Sequence, residues 1–143
     1  MLRIGSLTIE NSLVLAPMAG YTNLAFRLTV KKLGAGLVTT EMVSAMGLTL
    51  NHGKTLDYLK SHADEKPLAV QIFGADPAVM GKASDIAASH GADLIDINMG
   101  CPVKKVVKTG AGASLLRDQG TIAEILRAVR KSCPLPLTVK IRT

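Results

Sequence analysis

Asp96, Asn98 and Cys101 stand at spacings that bring a carboxyl, an amide and a thiol to one end of a single strand. Along Asp93-Leu94-Ile95-Asp96-Ile97-Asn98-Met99-Gly100-Cys101-Pro102, two-residue alternation sends Ile95 and Ile97 to one face and Leu94, Asp96 and Asn98 to the other. The strand then breaks at a Gly-Cys-Pro corner. Gly100 can take backbone angles closed to other residues and Pro102 fixes its own φ, so Cys101 is held on a rigid turn beside the polar row. A thiol in that setting can act as nucleophile, base or acid, or it can simply fill a buried turn. Residues elsewhere in the chain weigh between these two.

Met18, Glu41, Gln71, Lys140 and Arg142 also fall at the C-terminal ends of predicted strands. Singly, each has a structural explanation. Gln71 can satisfy neighbouring backbone groups, Glu41 can pair with a lysine, and Lys140 can extend to the rim. Their coincidence with Asn98 and Cys101 at one rim is what points to a site. Lys140 is the most informative, because an inward lysine needs an anion or an electron-rich ring to offset its charge. Lys104, Lys105 and Lys108 form either a solvated face or a phosphate clamp. His52, His62 and His90 have no metal-ligand spacing, and no metal is expected. Gly110-x-Gly112 lacks the preceding strand and the third glycine of a dinucleotide fingerprint.

The elements that must position these groups are legible from pattern. Residues 2–9 alternate and predict a short hairpin closing one end of the fold. Residues 12–16 read as a strand apolar enough to be buried on both faces, which marks a parallel sheet, and end at the corner Pro17-Met18-Ala19-Gly20. Thr22 and Asn23 can each cap a helix through Leu33, stopped by Gly34. Residues 36–40 form a second strand. Short helices are predicted at 46–50 and 55–59, broken by Asn51-His52-Gly53. A third strand at 67–72 leads to a helix capped by Asp76, opened by Pro77 and closed by Gly91. Residues 103–112 read as a long charged loop, a class that is usually functional. Thr121-x-x-Glu124 reads as a capping box, and Ile122, Ile125, Leu126 and Val129 make the apolar stripe of the helix it opens, which Pro134 ends. In the fifth strand, 137–142, Leu137, Val139 and Ile141 face the helix layer while Thr138, Lys140 and Arg142 face the other way. The third strand repeats this, with Val70 and Ile72 opposite Gln71.

Strands alternating with helices at intervals of roughly 25 to 40 residues define a right-handed parallel α/β array. An open doubly wound sheet would bury apolar residues on both faces. A (β/α)8 TIM barrel instead collects polar side chains at its interior mouth, so the barrel is the expected fold. A whole barrel needs about 200 to 250 residues, so the 143 present would supply its first four to five βα units as a single incomplete domain. Its unpaired edge strands would favour self-association, and the chain alone is expected to be inactive.

Composition bounds the rest. The chain is 48% apolar, with two Phe, two Tyr and no Trp, so its core is built from aliphatic residues and Met. Seventeen Lys and Arg against eleven Asp and Glu give a net charge of +6, which favours a polyanionic partner. Cys101 and Cys133 make no disulfide framework and no C-x-x-C pair, which fits a reducing cytoplasm. No apolar run approaches the roughly 18 residues of a membrane span, and no membrane partner is expected.

Taken together, Ala16-Pro17-Met18-Ala19-Gly20 with Phe26-Arg27, Thr40-Glu41-Met42-Val43-Ser44, Gln71-Ile72-Phe73-Gly74, Asp96-Ile97-Asn98-Met99-Gly100-Cys101-Pro102 and Val139-Lys140-Ile141-Arg142 are specific. With these motifs and the segment 103–116, nearly the whole chain resembles the N-terminal half of a bacterial tRNA-dihydrouridine synthase of the B type. Asn23 stands where many members carry Asp, a change that keeps the capping ability. The resemblance implies a flavin mononucleotide (FMN) enzyme that reduces uridine in tRNA with NADPH. It implies that Pro17, Met18, Ala19, Gln71 and Lys140 contact the flavin, that Cys101 is the proton donor, and that Asn98 holds the edge of a base flipped out of the RNA. For that role Cys101 has to carry its proton at rest. Lys104, Lys105 and Lys108 would then meet RNA phosphates. Two alternatives remain at this stage: a flavin barrel of small-molecule metabolism such as a dihydroorotate dehydrogenase, and a non-catalytic half-barrel that only binds RNA.

Overall fold

The computed structural model of the chain describes residues 1–142. In chain order the elements are a hairpin of β1 (Leu2–Ile4) and β2 (Leu7–Ile9), helix α1 (Leu24–Lys32), two short strands β3 (Val38–Thr39) and β4 (Val43–Ser44), and two short helices α2 (Ala45–Thr49) and α3 (Gly53–Leu56). Strand β5 (Leu68–Phe73), helix α4 (Pro77–Ser89), strand β6 (Leu94–Met99), the one-turn helix α5 (Lys104–Val107), helix α6 (Gln119–Ser132) and strand β7 (Leu137–Ile141) follow. Short 3-10 turns at Asp57–Leu59, Ala63–Glu65 and Gly112–Arg117 lie in the connections.

Strand order decides between the two architectures that alternation leaves open. β3 and β4 both pair with β5, β5 with β6, and β6 with β7, all in parallel, and Val14 bridges in parallel to Leu37. β3 and β4 thus share one edge of β5, and from β5 to β7 each strand lies beside its predecessor in sequence. A doubly wound sheet reverses its order at a switch point, whereas a barrel wall does not.

The two faces of the sheet are as different as the alternation requires. Val70, Ile72, Ile95, Ile97 and Met99 pack against Met80, Ala83 and Ala87 of α4 and Ile125 and Val129 of α6. Leu37, Ala69 and Leu94 on the opposite face meet Ile9, Ile4 and Leu7, so the hairpin closes the N-terminal end of that face. Burying this hairpin leaves the C-terminal end of the strands as the open one.

Several local expectations are corrected. Residues 12–16 are not a doubly buried strand: apart from the Val14 bridge they form no named strand, and Leu13 and Val14 are 62% and 48% exposed at the sheet edge. The capping box does not form at Thr121. Helix α6 starts earlier, at Gln119, because Asp118 caps it by accepting both the N–H and the hydroxyl of Thr121. Those two donors, the hydroxyl first, hold the Asp118 carboxyl below its ordinary pKa. Residues 103–112 are not all loop, since α5 occupies their middle. Only Asn23 caps α1, while Thr22 is fully buried and used elsewhere. Val139 and Ile141 are on the expected face of β7 but remain exposed.

Candidate active site

Register builds the site. Gln71 on β5 lies opposite Asp96 on β6, which lies opposite Thr138 on β7, and one step further along Asn98 lies opposite Lys140. These side chains share the face turned away from the helices, in two successive rows. Gln71 is fully buried, and Asp96 and Asn98 are each 8% exposed. Burial at that depth obliges their polar atoms to find partners.

They find one another. Thr138 Oγ1 donates to Asp96 Oδ1 at 2.7 Å, and Gln71 Nε2 donates to Asp96 Oδ2 at 2.6 Å. Asn98 Nδ2 donates to Gln71 Oε1 at 2.9 Å. Asn98 Oδ1 accepts the backbone N–H of Cys101 at 2.9 Å and that of Gly100 at 3.2 Å. Burial pushes the Asp96 carboxyl above its ordinary pKa, against the opposing pull of the Thr138 and Gln71 donors and the Lys140 charge.

Above this row a cleft of about 350 Å³ opens at the C-terminal ends of the strands. Pro17, Ala19, Met42, Gln71 and Asn98 line it together with Gly100, Cys101, Pro102, Val103, Lys140 and Arg142. Seven of the residues expected from sequence therefore meet in one place: Pro17, Ala19, Gln71, Asn98, Cys101, Lys140 and Arg142. Met18 belongs to the same corner but is not part of the lining. Lys104, Lys105 and Lys108 are exposed on α5 and at its C-terminal cap, next to the cleft rather than in it. Glu41 does not face the cleft and does not pair with a lysine; its carboxylate accepts the N–H of Gly20. Cys101 is partly exposed and unpaired.

Two braces hold the cleft's edges, and neither follows from local pattern. Thr22 Oγ1 contacts both the N–H and the carbonyl of Met18 at 3.1 Å, fixing the corner at residues 17–20. The Thr22 carbonyl is held in turn by Arg27, which makes a two-pronged ion pair with Glu65 at 2.6 and 3.1 Å. Behind the thiol, the Ala113 N–H donates to the Cys101 carbonyl, and Gly112 at φ 63° lies so close that an added Cβ would sit 2.6 Å from that oxygen. A contact at that distance admits only glycine.

What the lining can do follows from its atoms. Among the described residues the second amide hydrogen of Gln71 has no acceptor, that of Asn98 has only the Met42 sulfur at 3.7 Å, and Lys140 adds an ammonium group. No carboxylate among the described residues lines the cleft. A donor-rich, cationic pocket with Pro17, Ala19 and Met42 as apolar walls fits a flat, electron-rich ring with acceptor atoms at its edge. Among the described residues no cluster of three or more His, Cys, Asp or Glu side chains could hold a metal ion, and no helix is long and apolar enough to cross a membrane.

Sequential parallel strands, helices on one face and a polar cleft at the strand C-termini define an α/β fold of the barrel-wall kind with its site where such folds build one. Comparison with known proteins carries this further. A family profile described as "Dihydrouridine synthase (Dus)" matches residues 14–143, and the chain belongs to that family. It is 46% identical over 143 residues to the tRNA-dihydrouridine synthase B of Pseudomonas aeruginosa, covering 100% of this chain and 43% of that one. It is 44% identical over 142 residues to the enzymes of the same name from Xanthomonas campestris pv. campestris and Pasteurella multocida, covering 99% of this chain and 43% of each. The chain thus spans less than half the length of these relatives.

Proposed function

We propose that this chain supplies the catalytic wall of a tRNA-dihydrouridine synthase, which reduces uridine in tRNA to 5,6-dihydrouridine with FMN as cofactor and NADPH as reductant. The architecture proposed for the working enzyme is a closed (β/α)8 barrel. The observation that carries the reading is the fixed Cys101 corner, pinned by Asn98 and opening on the same cleft as Gln71 and Lys140. The family and the names of its relatives support the substrate and the chemistry.

When bound, reduced FMN supplies the hydride that adds to one carbon of the uracil double bond. Gln71 and Lys140 would offer donors to the ring's acceptor edge, and the corner of Pro17, Met18 and Ala19 would hold it. Cys101 holds a proton at Sγ and delivers it to the neighbouring carbon, from the face opposite the hydride. Asn98 keeps the corner in register, and its second amide hydrogen, held only by the Met42 sulfur, would turn to the base. A base inside the duplex stack cannot reach the cleft, so the target uridine enters flipped out, with Lys104, Lys105 and Lys108 against the phosphates on either side. The compartment we propose for this reaction is the cytoplasm.

The small-molecule alternative and the non-catalytic module make different predictions. Purified protein that shows flavin absorbance excludes the module. Mass mapping of dihydrouridine in tRNA decides the substrate: cells lacking the gene lose the modification at a defined position and regain it with the wild-type gene. Unchanged dihydrouridine at every position contradicts the proposal.

A further inference from the structure

The direction of the hydrogen-bonded row beneath the cleft can be assigned from its two ends. The backbone N–H groups of Gly100 and Cys101 can only donate, so the Asn98 atom that receives them is its oxygen. Asn98 then turns its amide nitrogen to Gln71, which answers with its own oxygen. Gln71 in turn directs its nitrogen to Asp96 Oδ2. The row closes only if Asp96 accepts, which an ionised carboxylate does at both oxygens.

We infer that Asp96, which does not itself line the cleft, is a positioning residue: by accepting from Gln71 it fixes the direction of the Gln71 and Asn98 amides, so that Asn98 Oδ1 holds the Cys101 corner and the spare amide hydrogens are left for a ligand. The reversed row sets the Gln71 carbonyl against the Asp96 carboxylate and the Asn98 amide nitrogen against two backbone N–H groups. The bonds from Gln71, Gly100 and Cys101 then fail together. Burial raises the Asp96 pKa and opposes its charge, while the Thr138 and Gln71 hydrogen bonds and the Lys140 ammonium pull the other way and favour the accepting carboxylate. Asp96 thereby makes the floor of the cleft a donor surface, selective for ligand edges that carry carbonyl oxygens or unprotonated ring nitrogens. The identity of that ligand rests on the proposed function; the row does not.

Hydrogen exchange at the Cys101 backbone amide in ligand-free protein tests the inference, because Asp96 acts on that group only through Gln71 and Asn98. Asp96→Leu removes the acceptor. Asp96→Asn keeps one: its carbonyl can accept from Gln71 while its amide donates to the Thr138 hydroxyl, which preserves the direction of the row. Exchange at Cys101 should be about tenfold faster in Asp96→Leu, the order expected for loss of one hydrogen bond, and close to wild type in Asp96→Asn, with core amides of β5 unchanged in both. Wild-type protection in the leucine variant overturns the inference. So does equal loss in both variants, which would make charge rather than direction the relevant property.

If the leucine variant does not fold, acid titration of the wild type gives the same readout by NMR. Lys140 is the charged group facing Asp96, and Gln71 and Thr138 are uncharged, so the transition reports Asp96. Protonated Asp96 keeps a carbonyl oxygen for Gln71, as Asp96→Asn does, so the Gln71 side-chain amide signal should shift while the Cys101 N–H stays protected, and loss of that protection contradicts the relay. FMN titration of the same proteins is read separately. Wild-type protein that binds no FMN counts against the proposed function and leaves the relay standing.

Discussion

Asn98 Oδ1 receives the backbone N–H of Cys101 at 2.9 Å, so the residue that ends the polar face of β6 also sets the position of the thiol. From the other side the corner is held by Gly112 and Ala113. The thiol is therefore placed by backbone contacts on both flanks.

Gly112→Ala should displace it. The new Cβ would meet the Cys101 carbonyl oxygen at 2.6 Å, and the φ of 63° adds strain of about 1–3 kcal/mol. Denaturant unfolding should show a loss of that order, and thiol-reagent kinetics at Cys101 should change with it. An alanine variant that matches wild type in both measurements would show that the contact is not fixed.

Removing one side of the Arg27–Glu65 pair should be costly, since the two side chains are 2% and 0% exposed. Glu65→Gln leaves a buried guanidinium without its charge partner, a change that typically costs about 3–5 kcal/mol. Replacing both residues with methionine should recover much of the loss. Denaturant midpoints for the single and double variants check this, and equal stability of Glu65→Gln and wild type rules it out.

The raised pKa of Asp96 has a definite sign in stability. Between the ordinary carboxylate value and the raised one, the folded state holds more protons than the unfolded state, so wild-type stability falls as pH rises through that window. Asp96→Asn lacks this dependence. Its melting temperature relative to wild type should rise as pH is taken from below about 4 to neutrality. The opposite trend would mean that the hydrogen bonds to Asp96 outweigh its desolvation.

Lys104, Lys105 and Lys108 provide an electrostatic test. If each meets an RNA phosphate, alanine at all three weakens tRNA binding and makes its salt dependence shallower, by about 0.7 to 0.9 in the log-log slope per contact. Filter binding across a salt series measures it. An unchanged slope means that the three lysines are only solvated.

Much of this site was legible before the structure because it rests on short-range rules. Period-two alternation puts Asp96 and Asn98 on one face, and Gly100 and Pro102 make the corner, whatever surrounds them. Other features depend on contacts that sequence separation hides. Arg27 and Glu65 are 38 residues apart, and Gly112 matters only because Cys101 lies behind it. At α6 the expected cap, Thr121, stands three residues past the observed one, Asp118, whose carboxylate takes both Thr121 donors. Helix α5 has four residues, too few to show a period, and β4 has two. The 12–16 run is as apolar as a buried strand, yet its single bridge at the sheet edge leaves it exposed.

The central claim is that Cys101 donates a proton to the uracil ring without holding the cofactor. Single-turnover kinetics test it most directly: protein carrying prereduced FMN, as the cell makes it, is mixed with unmodified tRNA and flavin reoxidation is followed in wild type and Cys101→Ala. The alanine variant should bind FMN as wild type does and be slower by about 10²- to 10⁴-fold, the usual contribution of a general acid. Reoxidation at the wild-type rate, with dihydrouridine formed in the alanine variant, would contradict the account.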